Sequence, residues 1–328
     1  MPGAVARYRE FAPCASLREH VRAFFSFVDP HHNQDSPSRP VMREVIFQAG
    51  DCFCSPLFAD GHASLVFSFE KACQLDGRWK RAAAGPSADV IGPMTAVGAA
   101  SLGERAEMFG VYFRAAQDTQ FLTVPTRELT DRVAALRDLW GRAGLELLGR
   151  LGEAAGESAR IACLESVLER RIGAVSALPS SLDLPAMTSH VIRSQGGATV
   201  QGLADAAGVS RQHLTRVFRE SVGLTPKLYC RLARFQAALR YAGRGDRVNW
   251  AQAALEMGYA DQSHMIAEFR QFSSLTPQAL ARKRWFHPFI ERAHTGVPDL
   301  LVGETADVSR DTTISQLVSR VPPPMLNT

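Results

Sequence analysis

Two stretches of the chain carry the same spacing of apolar and polar positions. In Thr199 to Arg231 (TVQGLADAAGVSRQHLTRVFRESVGLTPKLYCR), Leu203 and Ala204 fall on the inner side of a short helix. Leu214, Val217, Phe218 and Val222 then recur at helical spacing and make one apolar stripe on a second helix. Between them, Gly208 can take a positive φ, and Ser210 can accept a backbone N–H bond that starts the second helix. The pattern predicts a helix-turn-helix. Arg211, Gln212, Thr215, Arg216 and Arg219 are left on the outer face.

The second stretch, Asn249 to Arg282 (NWAQAALEMGYADQSHMIAEFRQFSSLTPQALAR), repeats the frame. Ala204 matches Ala254 and Gly208 matches Gly258 at an offset of 50; from Ser210 onward the offset is 51, so one more residue sits in the second turn. Ser210 matches Asp261, Leu214 matches Met265, Phe218 matches Phe269, Arg219 matches Arg270, and Leu224-Thr225-Pro226 matches Leu275-Thr276-Pro277. Asp261 can cap its helix as Ser210 does, since both present an acceptor oxygen. Pro226 to Ala242, with Leu228, Leu232, Phe235 and Leu239 in register and Pro at a favoured first-turn position, predicts a stiff helix joining the two units.

Upstream the period changes. Ser64 to Phe69, Val90-Ile91 and Phe109 to Phe113 read as strands separated by turns at Ala59-Asp60-Gly61 and Gly85-Pro86, and Val45-Ile46-Phe47 reads as another. Leu17 to Phe27 reads as a helix running into a strand, and Pro30 to Pro40 as a loop. From Thr123 to Arg171 leucines return at helical spacing: Leu129, Val133, Leu136 and Leu139, then Leu145, Leu147, Leu148 and Leu151, then Ile161, Leu164, Val167 and Leu168. Phe67, Phe69, Tyr112 and Phe113 are candidate pocket residues, although aromatics in strands more often form plain core. Met187 to Gln195 reads as one more helix. The expected fold is α+β: a β-rich, barrel- or sandwich-like N-terminal domain with packing helices, then an all-α double helix-turn-helix. The boundaries expected are residues 1–173 for a sensor or dimerisation domain, 174–185 for a linker, 186–285 for the DNA-binding domain and 286–328 for a mostly disordered tail with a short helix near Ser315 to Val321.

The paired frame resembles the AraC/XylS-type transcription regulators. The residues that carry the resemblance are Leu203-Ala204, Gly208-Val209-Ser210, Leu214, Arg216, Phe218, Gly223, Thr225-Pro226 and Arg234, then Ala254, Gly258-Tyr259, Asp261-Gln262-Ser263-His264, Phe269-Arg270 and Thr276-Pro277. Two positions depart from it. Ala267 stands where the family usually has an arginine, and Ser274 where it usually has a glycine. The resemblance implies two reading helices entering successive major grooves about 34 Å apart on one face of DNA. Less specifically, Asp60-Gly61-His62, Leu65-Val66-Phe67, Ile91-Gly92-Pro93 and Gly110 to Phe113 resemble the sensor half of such regulators, which implies effector binding or dimerisation.

Side-chain chemistry fits this. Arg can fork to guanine, Gln can pair with adenine and Thr can touch a thymine methyl. Gln212, Thr215 and Arg216 are therefore the expected base readers, with Arg211 and Arg219 shared between base edges and phosphates. Gln262, Ser263 and His264 are expected to give weaker readout, and Arg270 to bind phosphate. An isolated helix with this face is more often just solvated; the duplication argues otherwise.

Charge sharpens the picture. The chain carries +4 overall, but residues 186–285 hold 14 Lys and Arg against 6 Asp and Glu, a net of +8 that leaves −4 for the remainder. A basic module on an acidic body is the footprint of a phosphate-binding unit. Six cysteines in 328 residues (Cys14, Cys52, Cys54, Cys73, Cys163 and Cys230) do not make a disulfide framework. Cys52 and Cys54 near His62 invite a metal reading, but zinc sites space cysteines by two to four residues and need four ligands. Buried strand cysteines are the preferred reading, and no metal or cofactor is expected.

No nucleophile elbow, phosphate loop or zinc-protease motif is present in the sequence, so no enzyme is expected. The alternatives weighed are a DNA alkylation-repair regulator with a cysteine acceptor, for which the cysteines are too scattered, and a non-specific architectural DNA-binding protein. The N-terminus lacks a signal-peptide pattern, and the expected location is cytoplasmic. Double-stranded DNA is the expected partner; a small-molecule effector, a second copy of the chain and RNA polymerase are candidate partners, and a membrane is not.

Overall fold

The computed structural model describes residues 7–29, 53–57, 59–69, 74–76, 85–96, 98–102, 106–172, 182–242 and 249–282. The loop expected at Pro30 to Pro40, the strand at Val45 to Phe47, Cys52, Cys73, residues 174–181 of the linker and the whole tail lie outside these residues.

The first half is built on antiparallel strands. β1 (Arg7–Phe11), β2 (Val21–Asp29), β8 (Ala106–Phe113), β4 (Ser64–Ser68), β6 (Ser87–Ile91) and β9 (Val133–Ala135) lie in that order in a six-stranded sheet. β3 (Phe53–Leu57), β7 (Gly98–Leu102) and β5 (Gln74–Asp76) form a second sheet of three. Together with the helices that follow, this is the α+β architecture the sequence predicts.

Alternation along the strands sets the core. Phe109, Val111 and Phe113 of β8, Leu65 and Phe67 of β4 and Phe24 of β2 share one buried cluster with the helices, because residues two apart on a strand face the same way. Those helices are α1 (Thr119–Leu122), α2 (Thr126–Leu129), α3 (Leu136–Trp140), α4 (Arg142–Glu153) and α5 (Glu157–Arg171). They contribute Phe121, Leu122, Leu129, Leu136, Trp140, Leu147, Leu151, Leu164 and Leu168. The opposite face is also buried at Phe25, Val66, Met108 and Tyr112, and Phe25 stacks on Tyr112 with ring centroids 4.5 Å apart. The four aromatics weighed as pocket residues divide: Phe67, Tyr112 and Phe113 are fully buried in packed core, and Phe69 lies under the guanidinium of Arg160 at 4.0 Å.

Three local expectations give way. Leu17 to Phe27 holds no α-helix: the short 3-10 turn at Ala15–Leu17 leads through a turn at residues 18–20 into β2, since β1 and β8 pair with both edges of β2 and aromatic residues suit that position. Val133 belongs to β9, not to a helix, because the free edge of β6 takes it up in register with Ile91. Leu145 is 53% exposed and drops out of the α4 stripe, which runs through Leu147 and Leu151.

The second half is helical: α6 (Leu184–Arg193), α7 (Val200–Ala206), α8 (Arg211–Val222), α9 (Pro226–Ala242), α10 (Trp250–Glu256), α11 (Gln262–Ser273) and α12 (Pro277–Arg282). α6 starts three residues before the expected Met187 because Asp183 caps it, accepting from the Ala186 N–H at 3.0 Å. Its core is continuous with the first half, since Ala59 and Ala115 belong to the same cluster as Leu214, Phe218 and Phe235. The Ala59-Asp60-Gly61 turn makes that join. Gly61 takes φ +70, the Asp60 carboxylate accepts from the His62 N–H at 3.1 Å, and Gln236 of α9 donates to the Ala59 carbonyl at 2.7 Å.

Among the described residues no helix is long and apolar enough to cross a membrane.

Gly110 and Gly149 give a paired test of packing in the first half. A Cβ on Gly110 would lie 2.3 Å from the Leu65 carbonyl oxygen and 2.5 Å from the Phe25 ring, whereas one on Gly149 of α4 meets nothing. In chemical denaturation, Gly110→Ala is expected to lose about 2 kcal/mol or more and Gly149→Ala to gain about 0.5–1 kcal/mol. Equal effects from the two would contradict the packing described for β8.

Candidate nucleic-acid interface

Each helix-turn-helix unit is fixed by the same series of short-range bonds. Thr199 starts α7 by accepting from the Gly202 N–H at 3.0 Å, and Asn249 starts α10 by accepting from the Gln252 N–H at 3.2 Å. Ser210 starts α8 through the His213 N–H at 3.2 Å, and Asp261 starts α11 through the His264 N–H at 2.7 Å. Thr225 and Thr276 then cap α9 and α12 in the same way, each one residue ahead of a proline that opens the helix. These side chains replace intrahelical acceptors that the first N–H groups of a helix lack.

Burial follows the repeat too. Leu203 and Ala204 are matched by buried Ala253 and Ala254, Leu214 by Met265, and Phe218 by Phe269. Gly208 and Gly258 take φ +65 and +72, as the tight turn between the helices requires. In the second unit Tyr259, the counterpart of Val209, is buried and packs edge-on against His264 with centroids 5.4 Å apart. Burial raises the pKa of the Tyr259 hydroxyl, and the neighbouring Glu268 carboxylate raises it further. Tyr259 therefore acts as a neutral, core-forming group.

What is left outside is polar. On α8, Arg211, Gln212, Arg216 and Arg219 are exposed and Thr215 is half-buried. On α11, Gln262, Ser263, His264 and Arg270 are exposed, while Ala267, at the position of Arg216, adds no charge. Arg216 reaches back toward the His213 ring at 3.4 Å. The caps Ser210 and Asp261 are exposed at the heads of these helices. Both helices pack on α9: Tyr229 meets Phe218 edge-on at 5.6 Å, and Phe235 meets Phe269 at 5.1 Å and Phe272 at 5.3 Å.

Sequence reasoning missed two sets of residues that position these helices. The first is Glu268, a carboxylate only 2% exposed on α11, paired with Arg231 of α9, whose other arm donates to Gln271 at 2.6 Å. His264 stands 3.8 Å from the same carboxylate. A glutamate between Ala267 and Phe269 reads as solvated, and the packing of α9 reveals its burial.

The second set comes from the first half. The Thr126 hydroxyl lies 3.0 Å from the Ser221 carbonyl and the Thr130 hydroxyl donates to the Gly223 carbonyl at 2.8 Å, which serves the open carbonyl end of α8. Arg127 pairs with Glu220 beside them. This contact explains one departure noted above. Gly223 ends α8 at φ +79, and a Cβ there would lie 2.5 Å from the Thr130 hydroxyl; Ser274 ends α11 at φ +59 with its side chain exposed. A serine fits at the second site because nothing presses on it.

Comparison with known proteins matches residues 203–283 to a model described as Helix-turn-helix domain and residues 9–135 to a Domain of unknown function (DUF6597). No curated protein matches. Among solved structures, ToxT from Vibrio cholerae O395 is similar at 10% identity and a TM-score of 0.40, covering 71% of this chain and 94% of that one. Unsaturated fatty acid bound wild-type ToxT from Vibrio cholerae strain SCE256 is similar at 13% identity and a TM-score of 0.41, covering 70% and 91%.

Cap geometry sets the stability of these helices. Ser210→Ala and Asp261→Ala are each expected to cost about 1 kcal/mol in thermal or chemical unfolding. Ser274→Gly is expected to gain up to about 1 kcal/mol, since glycine relieves the left-handed backbone strain; a loss on that substitution would mean the serine side chain has a bonding role.

Proposed function

With residues 203–283 forming an AraC-type helix-turn-helix DNA-binding domain of a transcription regulator, we propose that this chain regulates transcription by recognising a specific operator sequence. The observation that supports it is the duplicated, separately capped helix-turn-helix whose two second helices each turn a polar row outward, strongly cationic on α8. In this reading Gln212, Thr215 and Arg216 read base edges, and Arg211 and Arg219 divide between bases and phosphates. Gln262, Ser263 and His264 add weaker readout, and Arg270 binds phosphate. Ser210 and Asp261 hold helix starts whose N–H groups can also meet phosphate. The first unit carries more of the discrimination, because Ala267 leaves the second with no counterpart of Arg216.

The same reading assigns residues 1–173 to sensing or dimerisation, 174–185 to a linker, 186–285 to DNA binding and 286–328 to a tail. A small-molecule effector acting on the first half has a route to DNA through the Thr126 and Thr130 contacts with α8. A second copy of the chain and RNA polymerase complete the partners, and the protein acts in the cytoplasm without enzymatic activity.

Selection of binding sites from a random duplex pool supplies the operator and tests the proposal. Arg216→Ala should then lose about 1–3 kcal/mol on that site and relax preference at one base pair; uniform weakening across all duplexes would reassign Arg216 to phosphate. Equal affinity of the native protein for every duplex would instead support an architectural DNA-binding protein.

Binding should also weaken steeply as salt rises, with log K falling linearly in log salt concentration as counterions are released. A salt-independent affinity would sink the phosphate assignments of Arg219 and Arg270.

A further inference from the structure

Between α1 and the end of α8 lies a chain of three oxygens. Asp118, 2% exposed, has its carboxyl Oδ2 2.8 Å from the Thr126 Oγ1, and Thr126, 1% exposed, has that same Oγ1 3.0 Å from the Ser221 carbonyl of α8. A hydroxyl has a single hydrogen to give, and a carbonyl and an ionised carboxylate can only accept. An ionised Asp118 and the Ser221 carbonyl therefore compete for one proton. If Asp118 is protonated, it donates to Thr126, Thr126 donates to Ser221, and every oxygen in the buried chain is satisfied.

We propose that Asp118 and Thr126 are positioning residues for the first reading helix, forming a latch that holds α8 against α2 while the Asp118 carboxyl carries its proton and loosens when that proton leaves. A buried acceptor without a donor is costly, so ionisation favours a form in which the end of α8 and Asp118 both reach water. The same seam also carries the Thr130 bond to the Gly223 carbonyl and the Arg127–Glu220 pair. Other charged and titratable groups on the surrounding elements have partners of their own. His20 bonds Gln117 at 2.8 Å, Arg114 donates to the Arg18 carbonyl at 2.8 Å, and Glu128 lies 3.8 Å from Arg127. Burial pushes the Asp118 carboxyl up to about 7, against the opposing pull of Thr126 and of the Asp118 and Thr119 backbone N–H groups, which favour the anion.

The direction of the pH effect follows from that shift. In the open form Asp118 meets water and ionises in the ordinary carboxylate range. Between that range and pH 7 the closed form holds a proton that the open form has lost, so raising the pH favours opening; above pH 7 both forms are ionised and the balance is flat. The latch itself does not depend on DNA, but its consequence for operator binding rests on the regulator reading.

Hydrogen exchange of the full chain without DNA, read by mass spectrometry and corrected for the intrinsic pH dependence of exchange, tests the latch separately from that reading. In the native protein, protection of the peptides covering α2 and residues 214–230 should fall at least about tenfold between pH 5.5 and pH 8, while β8 amides keep theirs. Asp118→Asn, whose amide can donate to Thr126 at any pH, should hold protection constant across the range. Thr126→Val should show low protection at both ends. Constant protection in the native protein, an equal fall in Asp118→Asn, or a fall shared by β8 would overturn the proposal.

Discussion

Packing of both helix-turn-helix units on one continuous helix is the constraint on which the second half depends. α9 spans 17 residues, and its start and its middle are claimed by different units, Tyr229 by Phe218 and Phe235 by Phe269 and Phe272. Two separately capped units on a flexible connection would present their polar rows at any mutual angle. Joined through buried aromatics on a helix opened by Pro226, they are held to one. DNA recognition needs that, since the grooves of a duplex are themselves at a fixed spacing.

The two units are anchored differently. Besides α9, α8 is held at its carbonyl end by hydroxyls of the first half. α11 is held from within its own half, by Glu268 sunk beneath Arg231 and beside His264. A change in the first half therefore acts directly on α8 and has a path to α11 through α9. The glycine that ends α8 and the serine that ends α11 record the same asymmetry, because one terminus is pressed against Thr130 and the other is open.

Whatever local chemistry decides was legible in the sequence. The duplicated frame, the caps at Ser210 and Asp261, the glycine turns and the whole extent of α9 follow from side chains acting on backbone within four residues of themselves. Strand positions at Ser64, Val90 and Phe109 were legible for the same reason, as runs of apolar β-formers between turns. Interactions between residues far apart in sequence were not. Nothing near Val133 says that the edge of β6 will recruit it, and the helical spacing of its neighbours points the other way. Thr126 and Thr130 sit in an unremarkable polar stretch whose partners lie more than ninety residues away. Glu268 looks like a surface acid until Arg231 is placed over it.

The additional residue in the second turn bears on how such modules can be recombined. Tyr259 is the counterpart of Val209, and the extra residue, Ala260, lies between it and the Asp261 cap, so α11 begins one position later relative to its own turn glycine than α8 does. Leu214 and Met265 each stand four residues past their caps, and Phe218 and Phe269 eight, so exchanging the helices from the cap onward keeps the apolar row on the core whichever turn precedes it. What can be transplanted is each cap with the helix it starts, while the length of the turn ahead stays with its own unit.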